Sequence, residues 1–148
     1  MKKLARFCTL IAGICWLAVS PARAGDHGAM VDHLSGTYVV IGKHAGSGTL
    51  FDGTVKLTRS GDRLQVVRTI AGQATTGTGT LEKALRGETT VLRVRFAHAG
   101  QDYEATYLID GDLDNYARLT GYVYLKDGST KRVGLEALFA DFGQLQRK

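Results

Sequence analysis

From Gly36 onward, apolar and polar residues alternate with a period of two, interrupted by glycine-centred turns at intervals of about ten residues. The stretch FDGTVKLTR shows the pattern. Phe51, Val55 and Leu57 fall on one side, and Asp52, Thr54, Lys56 and Thr58 on the other. Val, Ile, Leu, Thr, Tyr and Phe dominate between the turns, residue types that suit a pleated, half-buried surface. The spacing predicts eight strands, at about 35–43, 49–59, 63–70, 74–82, 89–97, 103–110, 116–125 and 130–139.

The joining segments HAGSG, SGD, AGQ, KALRGE, HAGQD, DGDLDN and KDGS are each short enough for a hairpin. None has room for the helix that a parallel crossover requires. A meander of eight antiparallel strands leaves two exposed edges unless it closes on itself. The fold class expected is therefore all-β, an eight-stranded antiparallel up-and-down β-barrel over residues 35–140, with a β-sandwich as the alternative. Eight strands enclose an interior that side chains just fill or that holds one small ligand.

Upstream of the alternating region the pattern changes. A positive start with Lys2, Lys3 and Arg6, an apolar run from Phe7 to Val19, and Ala22-Arg23-Ala24 have the form of a secretory signal peptide over residues 1–24. The run is too short to span a bilayer, and neither cysteine is preceded by the small residue a lipoprotein anchor needs. Residues 25–34 read as a flexible leader, and 141–148 as a frayed or short helical tail. A periplasmic or secreted location is expected, with no membrane span once the signal is removed.

Cleavage after Ala24 alters the composition. Cys8, Cys15 and the one tryptophan, Trp16, leave, so the barrel must stand without a disulfide. Four basic residues leave while all 14 acids stay, lowering the net charge from +5 to +1. The argument from a basic chain to a nucleic-acid partner then loses its basis.

Candidate chemistry is sparse. Cleavage after Ala24 would expose Gly25-Asp26-His27, whose α-amine, two amide nitrogens and imidazole can form a square-planar set suited to Cu(II). The alternative is a leader whose histidine is incidental. DGDLDN places Asp110, Asp112 and Asp114 at alternate positions, but Asn115 and Gly121 stand where a calcium loop needs glycine and glutamate. An acidic hairpin turn is the plainer reading. Gly77 and Gly79 share one strand face, leaving room for neighbouring side chains or for a ligand. The four mature serines lie outside any G-x-S-x-G motif, and the histidines show no zinc spacing, so no catalytic constellation emerges.

Two charges interrupt apolar faces. Arg68 shares a side with Leu64, Val66 and Ile70, and Glu136 sits within the apolar run Val133–Phe139. If both point inward, a salt bridge or a polar ligand would satisfy them. Otherwise Arg68, near its strand end, extends to solvent.

Over Gly36–Phe139 the chain resembles the calycin-type barrels, the lipocalins and avidins. SGTYVV puts Tyr38 where those families carry the tryptophan of G-x-W, and KRVGLEALF resembles the last strand of streptavidin-like chains. The resemblance implies Arg132 near the closed end and a small ligand in the barrel mouth contacted by aromatics. The absence of tryptophan from the mature chain argues against biotin. The function expected is non-enzymatic binding of a small apolar or amphipathic molecule, with Tyr38, Phe51, Tyr103 and Tyr107 as contact surface and Arg68 or Glu136 as polar anchor. The alternative is a protein-interaction module, an adhesin or inhibitor with a packed barrel, whose anchors would be Tyr116, Tyr122 and Tyr124 against an extracytoplasmic protein.

Overall fold

The computed structural model describes residues 24–109 and 119–141. A helix, α1 (Ala24–Leu34), precedes eight strands: β1 (Gly36–Lys43), β2 (Leu50–Ser60), β3 (Arg63–Ile70), β4 (Gln73–Ala84), β5 (Thr89–His98), β6 (Gln101–Leu108), β7 (Leu119–Leu125) and β8 (Gly134–Ala140). Each strand pairs antiparallel with the next, and β8 returns to β1, so the barrel is closed in sequence order. The sandwich alternative is excluded. Among the described residues no helix is long and apolar enough to cross a membrane.

Alternation along each strand sends one set of side chains inward. Tyr38 and Val40, Val55 and Leu57, Leu64 and Val66, and Leu92 and Val94 are all buried. Gly77 and Gly79 turn out to serve close packing. A Cβ on Gly77 would lie 2.5 Å from the Arg95 carbonyl oxygen, and one on Gly79 would press on Leu92, Leu64 and Val66 at 3.2–3.5 Å.

Residues 25–34, expected as a flexible leader, instead belong to α1. Val31 and Leu34 enter the core at 1% and 0% exposure, with Met30 packed beside them. The Tyr38 hydroxyl donates to the Leu34 carbonyl at 3.0 Å, and Arg59 pairs with Asp32. These bonds set the helix against the end of the barrel where β1 begins and β2 ends, and Val31 and Leu34 join Tyr38, Leu57 and Leu64 in one buried cluster.

The last strand begins later than the expected 130. Residues 126–133 form the β7–β8 loop, held by its own bonds: the Leu125 amide donates to the Thr130 hydroxyl at 2.6 Å, and the Gly46 amide to the Arg132 carbonyl at 2.9 Å. That second bond ties the loop to the β1–β2 loop at the end opposite α1. Arg132, implied near the closed end, therefore stands at the open end.

Candidate functional site

The register lines up one row of inward residues across five strands, a belt that runs from β2 to β6. Phe51 on β2 pairs with Gly42 on β1, Gly42 with Glu136 on β8, Glu136 with Gly121 on β7, and Gly121 with Tyr107 on β6. The two glycines matter because rings from neighbouring strands lie over them. A Cβ at Gly42 would sit 2.6 Å from Phe51 Cζ, and one at Gly121 2.8 Å from Tyr107 Cδ1. Glycine on both flanks of Glu136 thus leaves room for these two rings and for the close approach of the neighbouring carbonyls of Leu135 and Thr106.

Arg68, from β3, reaches into this belt. Its Nη1 donates to Glu136 Oε2 at 2.9 Å and to the Tyr107 hydroxyl at 3.2 Å, and its Nη2 donates to Glu136 Oε1. The Tyr107 hydroxyl in turn donates to Glu136 Oε2. Arg68 and Glu136 are each only 4% exposed, so a bidentate pair with a phenol partner joins three non-adjacent strands. Burial alone would pull the Arg68 guanidinium down, but its hydrogen bond to Glu136 and the neighbouring charges outweigh this and hold it above its ordinary range. Burial, reinforced by the Glu136 charge, pushes the Tyr107 hydroxyl well up.

The triad divides the interior. On the α1 side the barrel is packed; on the other side it opens into a cavity of about 330 Å³. Its walls are aromatic. Phe51 packs on His44 with ring centroids 4.5 Å apart, and Phe96 stacks on Tyr103 at 5.5 Å with 13° between planes. In a closed ring of eight strands, β1 and β2 lie opposite β5 and β6, so the two aromatic pairs face each other across the mouth. Ile70 and Val123 complete the apolar lining, Thr75, Gln73 and His98 stand at the rim, and Arg68 and Glu136 form the floor. The Arg68 guanidinium carbon also lies 4.5 Å from the Phe96 ring centre, a cation–π contact that fixes both groups.

Of the residues predicted for this site, Phe51, Arg68, Tyr103 and Glu136 converge on the mouth. Tyr38 does not; it is buried at the α1 end. Tyr107 lies beneath the floor at 1% exposure and supports the ion pair rather than offering contact surface. Phe96, Ile70, His44 and His98 are additions. Phe96 was legible in VLRVRFAH, where it shares a face with Leu92 and Val94, whereas His44 and His98 read only as turn residues.

Gly25, Asp26 and His27 lie in the first turn of α1. Helical amides point along the axis instead of converging on one centre, so copper bound there would require that turn to unwind. The DGDLDN segment and Tyr116 lie outside the described residues.

A second concavity lies on the outer wall. Ile41, Leu50, Leu108, Tyr122, Leu135 and Ala137 line a groove of about 820 Å³ across β1, β2 and β6–β8. It is larger than the mouth and more open. Beside it Tyr124 is engaged, its hydroxyl donating to Glu104 at 2.7 Å, while Tyr122 stands 56% exposed. The mouth is the stronger candidate for a small molecule, because strands surround it and polar groups converge at its base.

No family model matches the chain, and no curated protein matches it. Among solved structures, a redesigned β-barrel is similar with a TM-score of 0.52 and 14% identity, over 75% of this chain and 94% of that one. A second redesigned barrel, mFAP1, solved bound to DFHBI, gives a TM-score of 0.47 at 19% identity, over 75% of this chain and 97% of that one. The first likeness shows a shared barrel fold, in agreement with the architecture that the calycin resemblance implied.

Proposed function

We propose that the protein is an exported, non-enzymatic carrier that holds a small amphipathic molecule in the open half of its barrel. The observation that carries this reading is the pair of facing aromatic walls above a buried, fully engaged ion pair. Apolar walls with a few placed polar groups suit reversible binding. Both Glu136 oxygens accept hydrogen bonds and Arg68 is committed to them, so neither group is free to shuttle a proton in a reaction. Export is supported by the charged start, apolar run and Ala22-Arg23-Ala24. Copper at a Gly25 terminus would be a separate property of the processed chain end.

Titration with the neutral fluorescent probe N-phenyl-1-naphthylamine tests the carrier reading. Phe51→Ala with Tyr103→Ala should weaken its binding about tenfold or more, since each ring supplies contact area and stacking. Tyr122→Ala should leave it unchanged. Equal affinity in a folded double variant would contradict the mouth as the site.

The exposed outer groove favours a second reading, a protein-interaction surface. Its apolar lining and Tyr122 resemble interface anchors more than a small-molecule site. A dye response that followed Tyr122 and ignored Phe51 would shift the assignment to that face.

A further inference from the structure

The open end of the barrel carries a charge bias that its interior does not. In the up-and-down order, the β1–β2, β3–β4, β5–β6 and β7–β8 links all emerge at the mouth. Lys43, Lys126, Lys131 and Arg132 stand on these links or at the adjoining strand ends, against Asp52, Asp102 and Asp127. Asp127 is occupied locally, accepting from the Ser129 amide and hydroxyl at 2.9 and 2.7 Å. Arg132 donates to the Ser47 carbonyl at 3.3 Å, which brings its guanidinium onto the β1–β2 loop. His44 and His98 add two imidazoles around the opening.

The floor offers no matching positive site. The Arg68 charge is balanced by Glu136, and an acid pushed down to that level would meet a carboxylate whose oxygens are already engaged. A second buried negative charge there would lack a counterion. The lip, by contrast, is wet and cationic, and the low-dielectric walls below it concentrate its field over the opening.

Building on the carrier reading above, we infer that the mouth selects molecules with a flat apolar body and a single acidic group. The ring system lies between His44–Phe51 and Phe96–Tyr103, and the acid stays at the lip among Lys43, Lys131 and Arg132. Charges at such an exposed lip act singly with modest strength and are screened by salt.

The experiment compares two probes that differ only in a sulfonate: 1-anilinonaphthalene-8-sulfonate and N-phenyl-1-naphthylamine. Raising the salt from low to high molarity should weaken the sulfonate probe by about fivefold on the wild-type protein and leave the neutral one within about twofold. Lys43→Gln with Lys131→Gln should reproduce that selective loss at low salt. If the neutral probe binds and the sulfonate responds no differently from it to salt and to the variant, the acidic-ligand inference is overturned and the carrier reading stands. If neither probe binds, the carrier reading fails and this inference with it.

Discussion

Arg68 and Glu136 meet across the barrel although their strands, β3 and β8, are not neighbours, with a guanidinium nitrogen 2.9 Å from a carboxylate oxygen. Pairing this far from water does not by itself stabilise a fold, because desolvation offsets most of the attraction. Leaving one partner alone is the costly event. Arg68→Met and Glu136→Leu should each destabilise the protein by about 3–5 kcal/mol, and the double variant that combines them should recover much of that loss. Urea unfolding of the two singles and the double measures the coupling. Additive losses would mean that the two side chains do not depend on each other.

Tyr107 links the pair to a third wall and gives the fold an alkaline signature. Its hydroxyl titrates well above its ordinary value near 10 because of burial and the adjacent Glu136 charge. The unfolded chain therefore loses this proton first as the pH rises, and the stability tied to the neutral phenol, full below about pH 10, declines above it. Tyr38, raised by burial, contributes with the same sign. Tyr107→Phe should thus flatten, without abolishing, the fall in melting temperature between neutral and strongly alkaline pH. An unchanged slope would refute the role given to Tyr107.

Helix α1 is part of the core. Leu34→Ala should cost about 2–5 kcal/mol, as for other fully buried leucines, and Tyr38→Phe about 1 kcal/mol through the lost bond to the Leu34 carbonyl. Thermal melts would check both. Losses under half a kcal/mol would mean that α1 rests on the barrel without supporting it.

Two mouth turns carry alanine in a left-handed conformation, Ala71 at φ 49° and Ala99 at φ 49°, each followed by a glycine at φ 76°. Two-residue hairpin turns of this type favour Asn-Gly, because asparagine tolerates positive φ better than alanine. Ala71→Asn and Ala99→Asn should each raise stability by about 0.5–1 kcal/mol. Equal or lower melting temperatures would show that the turns are held by something other than their own residues.

The period-two alternation marked all eight strands and assigned Arg68 and Glu136 to apolar faces, because a strand's two faces are written directly into its residue order. Height along the barrel is written less directly. Tyr38 and Phe51 both point inward, yet one opens β1 at the α1 end and the other lies near the mouth-end start of β2. Alternating hairpin ends separate them, and applying that rule would have moved Tyr38 out of the site and brought in Phe96. The helix was hidden for another reason. Gly25 and Gly28 weaken its propensity, and only Met30, Val31 and Leu34 mark its apolar stripe. Its order comes from packing against the barrel. The late start of β8 likewise depends on bonds between two loops distant in sequence.

On the carrier reading the binding surface lies inside the barrel mouth and not on the larger outer groove. Amide chemical-shift mapping of the labelled protein during titration with N-phenyl-1-naphthylamine separates these directly. Shifts concentrated at Ile70, Phe96, His98 and Tyr103 are the predicted result; shifts concentrated at Ile41, Leu108, Thr120 and Tyr122, with the mouth unmoved, would contradict it.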